Sequence, residues 1–167
     1  MNVYLSSLGY QGPNIILLLI FIALFQKNPS TSPYFYLVIV AWQFASHLIN
    51  VIIKNILKFP RPDSDPEVHH KLTQSITWKN YLIIHRNFGM PSGHAQAVIS
   101  ELTFLALYFK NPWLTAIAAL QSAITLYQRY ATKRHSIKQL LAGSLLGVAV
   151  GASFYKGVKY YKIPSIL

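Results

Sequence analysis

His94 and His135 are the residues of this chain best suited to chemistry, because each stands among groups that bind phosphate. Gly89-Met90-Pro91-Ser92-Gly93-His94 ends a long polar loop and opens an apolar run. Ser92 is a natural helix N-cap. A helix that starts there points free N–H groups and its positive dipole end at an anion, so the Ser92 hydroxyl and Gly93 N–H are candidate phosphate donors beside His94. Arg129 to His135 bridges two further apolar runs, and Gln139 falls four residues after His135, one helical turn on. Arg129 supplies a forked donor that matches phosphate oxygens. In a third stretch Lys54 and Arg61 are seven residues apart, two helical turns, and Pro60 and Pro62 end the helix around Arg61.

Each stretch also has an ordinary reading: a snorkelling lysine and an interfacial arginine, a plain helix cap, or a basic turn with an incidental histidine. Together they describe a cage for a phosphoryl group, with one histidine placed to attack phosphorus and the other to protonate the leaving oxygen. With four Asp and Glu in the whole chain and no acidic cluster to hold Mg²⁺, a metal-free and cofactor-free mechanism is the simpler expectation. Glu101 lies seven residues after His94, inside an apolar run, where an ionisable group suggests function. A structural pairing with Lys54 or His47 explains it equally, and it is left out of the catalytic set. His69, His70 and His85 read as solvated loop histidines or head-group contacts.

The elements that must hold these groups are apolar. Hydrophobic residues make up 53% of the 167 positions and charged ones 11%, too few to cover a soluble surface. Apolar runs cover residues 10–25, 34–57, 95–109, 113–127 and 136–155. The second and fifth meet the roughly 20 residues of a spanning helix, and the others do so with their flanks. Aromatic residues such as Tyr34, Trp113, Tyr127 and Tyr155 collect at the run ends, as in interfacial belts. The expected fold is a single all-α integral membrane domain over residues 1–167, a multi-pass bundle of about five helices with its active site at one membrane face. A soluble helical protein with short buried helices is the alternative. It would show a polar face on most helices.

Alternation of the spans puts the N-terminus, loop 58–90 and turn 129–135 on one side. Lysines and arginines outnumber acids 15 to 4, and they sit between the runs. That placement favours lipid head groups and a substrate phosphate over nucleic acid. The cationic site lies on one side itself, so charge alone leaves the orientation undecided. No Lys or Arg precedes the first run and no small-residue cleavage site follows it, so it is not expected to be a signal peptide. The absence of cysteine excludes disulfides and thiolate chemistry.

Lys54…Arg61-Pro62, Pro91-Ser92-Gly93-His94 and Gln128-Arg129…His135…Gln139 resemble the type 2 phosphatidic acid phosphatase superfamily pattern K-x6-RP, PSGH and SR-x5-H-x3-D. Order and spacing are intact over about half the chain. The resemblance implies a helical bundle and a lipid phosphate or diphosphate phosphatase. In it His135 is the nucleophile that becomes a phosphohistidine and His94 the general acid, while Lys54, Arg61, Ser92, Gly93 and Arg129 bind phosphate. Two positions depart: Gln128 stands where the family has Ser, and Gln139 where it has the Asp that orients the nucleophile. In serine proteases an Asp-to-Asn change in that role costs about 10⁴ in rate. The dolichyl diphosphatase branch also carries Gln there, and Ile53-Lys54-Asn55 and Gly89-Met90-Pro91-Ser92-Gly93-His94-Ala95-Gln96 resemble it too.

The expected activity is therefore hydrolysis of a polyprenyl (dolichyl-type) diphosphate, with Gln139 orienting His135 and membrane lipids as partners. The branch implies an endomembrane location, such as the endoplasmic reticulum, with a lumenal site. A membrane structural or lipid-binding protein that keeps the cage without turnover is the alternative. A small transporter is disfavoured by the lack of paired repeats. Oligomeric state is open.

Overall fold

A computed structural model describes residues 3–74 and 87–161 of the chain. His85 and Lys162 lie outside the described residues. Seven helices stand among the described ones: α1 Val3–Tyr10, α2 Gly12–Lys27, α3 Pro33–Leu57, α4 Pro66–Gln74, α5 Gly93–Phe109, α6 Pro112–Ala131 and α7 Ile137–Tyr160. Each expected apolar run lies in helix, and the helix starts follow local chemistry. Ser32, Ser92, Asn111 and Ser136 each cap a helix with a side-chain oxygen, and Pro33 and Pro112 occupy first helical positions, where no N–H is missed.

The first run is not one straight helix. It breaks at Gln11, and α1 and α2 meet at 60°. Pro13 sits in the first turn of α2, where its missing N–H costs nothing. Among the described residues two helices, α3 and α7, can cross a membrane by length and apolarity, or three if the bent pair is one span. The expected five is thus not reached on that measure. Helix α5 has 17 residues, and α6, with 20, keeps Gln121, Ser122, Thr125 and Gln128 on its buried side, which lowers its hydropathy.

Burial is inverted relative to a soluble bundle. Leu37, Phe44, Leu120 and Leu145 are exposed, while Ser46, Asn50, Gln96, Ser100 and Glu101 are buried. Lipid favours that pattern, because apolar side chains face it without cost and polar ones must find partners inside. They do: Asn50 donates to Gln96 Oε1 at 2.7 Å, Gln96 donates to Ser46 Oγ at 2.9 Å, and Gln43 donates to Glu101 Oε1 at 2.7 Å. Further along α3, Trp42 stacks on Phe154 at 4.2 Å and packs on Phe104, which anchors an aromatic core away from the polar end.

Helices α5 and α7 approach most closely. Gly143, Gly147 and Gly151, one turn apart on α7, lie against the carbonyls of Ser92, Gln96 and Ser100. A Cβ at any of the three would collide with that backbone, so glycine sets the spacing between the helix that carries His94 in its first turn and the helix that follows His135.

Candidate active site

The three motifs meet at one end of the bundle. Tyr10, Asn14, Asn50 and Ala97 complete a cavity of about 590 Å³ whose cationic and imidazole lining is His47, Lys54, Arg61, His94, Arg129 and His135, with Gly93 beside them. Tyr10 of the N-terminal region, Arg61 of the described part of loop 58–90, and Arg129 and His135 of the turn thus stand around one cavity. Lys54 and Arg61 bracket the end of α3, which stops at Lys58 in the left-handed conformation. The Lys54 ammonium is buried and donates to the Phe88 carbonyl at 3.0 Å, which ties α3 to the segment leading into α5. An isolated antiparallel bridge between Pro60 and Phe88 and a 2.7 Å bond from Gly89 N–H to the Phe59 carbonyl hold the same seam.

His135 sits in the turn between α6 and α7 and is 2% exposed, so solvent does not stabilise its charged form. Its Nδ1 lies 2.9 Å from the Gly89 carbonyl oxygen. A carbonyl only accepts, so Nδ1 carries the proton and Nε2 keeps its lone pair. Arg61 Nη1 stands 3.4 Å from that Nε2 and 3.3 Å from the Arg134 carbonyl. Burial first, then the cations Arg61, Lys54 and Arg129, push the His135 pKa down to about 3, against a smaller opposing pull from the Gly89 carbonyl. The ring is therefore neutral at physiological pH, with its nucleophilic nitrogen facing the cationic cage.

Gln139 is placed differently from the expectation. Its amide does not reach the imidazole. Gln139 Oε1 accepts from Ser136 N–H at 3.1 Å while Ser136 Oγ accepts from Gln139 N–H, a capping box that starts α7. Its Nε2 donates to the Pro60 carbonyl at 2.7 Å. The amide also packs on Gly89, where a Cβ would clash with it. Gln139 thus fixes the two backbone segments that present Arg61 and the Gly89 carbonyl, and the carbonyl takes the position beside Nδ1 expected of the side chain.

Ser92 is the expected N-cap of α5 but does not line the cavity. It is fully buried, its Oγ accepts from Ala95 N–H at 3.4 Å as the α5 cap, and it lies behind Gly93 rather than in the cavity wall. Gly93 and His94 face the cavity at the start of α5. Arg129 is buried and its Nε has no protein partner, an orphaned donor that suits an anion. Glu101 pairs with Gln43 instead of Lys54 or His47, and its other oxygen is buried without a partner.

Tyr10 was not singled out from sequence. Its ring packs on His94 with centroids 5.2 Å apart and lies 5.7 Å from the Arg129 guanidinium carbon. The α1–α2 break delivers it. Gln121 donates to the Leu8 carbonyl at 2.9 Å, and Gly9 and Gly12 let the bent segment sit against Gln128 and Thr125 of α6. Gln128 reaches Ser6 Oγ at 3.5 Å and accepts from Arg129 at 3.4 Å, so the long amide that replaces a serine links the N-terminal segment to the cage. His47 carried a weak signal, being two turns before Lys54 on the same helix face.

The structure is thus an α-helical bundle with apolar outer faces and with imidazoles and cations gathered around a cavity at one end. The profile of the PAP2 superfamily matches residues 33–163, and the chain belongs to that family. The protein is accordingly an integral membrane helical bundle. It is also similar to dolichyldiphosphatase of Saccharomyces cerevisiae, 25% identical over 123 residues, which cover 68% of this chain and 47% of that protein. The chain thus spans about half the length of that relative. No solved structure matches it.

Proposed function

We propose that the protein is a lipid phosphatase that hydrolyses a polyprenyl diphosphate of the dolichyl type through a phosphohistidine. The observation that carries this reading is the arrangement of His135: Nδ1–H held by the Gly89 carbonyl, Nε2 unprotonated and 3.4 Å from Arg61 Nη1, and His94 on the wall of the same cavity. Similarity to a dolichyldiphosphatase supports the substrate class. An endomembrane residence goes with it.

In the first step Nε2 of His135 attacks the terminal phosphorus in line. The bond to the bridging oxygen breaks, and that oxygen takes a proton from His94. Lys54, Arg61, Arg129 and the Gly93 N–H offset the charge on the equatorial oxygens. In the second step water, deprotonated by His94, attacks the phosphohistidine. Inorganic phosphate leaves and His135 is restored. The cations of the cage supply the charge stabilisation that a metal provides elsewhere, so turnover continues with chelator present.

The test is release of phosphate from a polyprenyl diphosphate by the detergent-solubilised protein with EDTA, beside single-turnover trapping of labelled phosphohistidine. Activity and label that disappear in His135→Ala support the reading. Equal activity in the two proteins overturns the mechanism, and phosphate binding without turnover turns the protein into a lipid-binding relative of the family.

A further inference from the structure

A second cavity of about 440 Å³ adjoins the first and shares Tyr10, Arg61 and Arg129 with it. Its own lining is Ser6, Asp63, Gln128, Thr132 and Arg134. None of these five belongs to the phosphate cage expected from sequence, and Ser6 and Tyr10 precede the residues that match the family profile. The cavity exists because the bent N-terminal segment is seated on α6 through Gln121 and Gln128, which turns open surface into a wall.

The charge of this cavity is unbalanced. Arg61, Arg129 and Arg134 face it with Asp63 as its acidic side chain. Asp63 pairs with Arg134 at 3.5 Å, and both side chains are partly exposed, so the pair is weak and leaves the net charge positive. The orphaned Nε of buried Arg129 adds a donor in want of an acceptor. Burial, and then repulsion from Arg134, lower the Arg61 pKa, with Asp63 opposing; an anion between the two guanidiniums relieves that repulsion. A phosphoryl group held by Lys54, Arg61 and Arg129 leaves Arg134 unused.

We propose that this second cavity binds the second phosphoryl group of a diphosphate ester, and that Arg134 is the residue that selects diphosphate over monophosphate. The proposal rests on the phosphatase reading and specifies its substrate. Geometry favours it because two phosphoryl groups share one bridging oxygen, so the second must lie in space contiguous with the first. Arg61 and Arg129, which line both cavities, then clamp the pair, and the hydroxyl of Ser6, which only accepts from Gln128, remains as a neutral donor, while that of Thr132 already donates to the Gln128 carbonyl at 2.7 Å. Asp63 keeps Arg134 over the opening and gives it up when the anion arrives.

Initial rates on a prenyl diphosphate and on the monophosphate of the same alcohol test this with the full chain in detergent. Arg134→Ala is expected to lower kcat/KM for the diphosphate about tenfold, the scale of one lost charge-assisted hydrogen bond, and to leave the monophosphate within about twofold. Asp63→Ala keeps Arg134 and is expected to hold or raise diphosphate activity. A loss shared by both substrates, no loss on either, or a diphosphate loss in Asp63→Ala matching that of Arg134→Ala overturns the proposal. Thermal protection by inorganic pyrophosphate against inorganic phosphate reads the same cavity even in a chain that does not turn over. Extra protection by pyrophosphate that Arg134→Ala removes supports the subsite, and equal protection by the two anions overturns it.

Discussion

The Gly89 carbonyl oxygen and the His135 Nδ1 are 2.9 Å apart, and this contact between a loop backbone and a buried ring sets the tautomer that the proposed chemistry requires. A backbone dipole does less than a carboxylate to stabilise an imidazolium. It also leaves His135 more firmly neutral, which suits a nucleophile surrounded by cations.

Restoring the family's acid at position 139 is therefore expected to bring no gain. Gln139→Asp shortens a side chain that does not touch the ring and breaks the amide bond to Pro60. We expect kcat to fall about tenfold or more, with Gln139→Ala similar and about 1 kcal/mol less stable through loss of the capping box. Steady-state kinetics beside thermal unfolding checks this. A tenfold rise in kcat for Gln139→Asp means that the side chain does reach His135 in the working enzyme.

Gly89→Ala places a methyl group where the Gln139 amide lies. The carbonyl must rotate or the amide must move, and either change loosens Nδ1. The expected result is a phosphohistidine formation rate lowered by about tenfold to a hundredfold with phosphate affinity nearly kept. Rapid-quench labelling separates that outcome from general unfolding.

The His135 pKa near 3 has a consequence for stability. The unfolded chain takes up a proton at an ordinary histidine near 6.5, whereas the folded site stays neutral down to about 3. Between those values the unfolded state binds more protons, so this residue's contribution to stability is full above 6.5 and declines as pH falls towards 3. Denaturation of wild type and His135→Gln from pH 7 to pH 4 should show a shallower acid decline in the variant. Parallel curves would remove His135 as the cause. In activity profiles, protonation of His135 is not what limits turnover between pH 5 and 7.

Gly12→Val pushes the bent segment off Thr125 and so withdraws Tyr10 from His94. We expect kcat to drop several-fold or more while inhibition by inorganic phosphate changes little, since Lys54, Arg61 and Arg129 stay in place. A competition assay and a rate assay on the same preparation distinguish this from loss of the cage.

How much could be read from sequence follows from which groups carry side-chain signatures. Lys54, Arg61, His94, Arg129 and His135 are long or titratable and regularly spaced, and they meet around one cavity. The partner of Nδ1 is a main-chain carbonyl at a glycine, which no residue type announces. Gln139 satisfied a spacing rule for reaching His135, but the same spacing from Ser136 makes a capping box, and the local bond prevailed. Ser92 likewise spends its hydroxyl on the α5 cap. Tyr10 escaped notice because the apolarity of residues 10–25 masks the break at Gln11, and only the tertiary seat on α6 shows why the break is there. The short α5 and the polar inner side of α6 blur the count of spans for a related reason: helices that hold a polar site inside a bundle cannot be uniformly apolar.

The glycines at 143, 147 and 151 set one more limit. With α7 seated directly on the α5 backbone, those two helices move as a single beam, and the gap between the residues they carry into the site cannot widen on its own. Whatever flexing lets a bulky lipid enter and leave must then be absorbed by the other walls. The seam between the N-terminal pair and α6 is built differently, from hydrogen bonds of two glutamines and from Gly9 and Gly12 seated mainly on α6 side chains, with less main chain against main chain. The molecule is in this sense a fixed anvil with one compliant jaw.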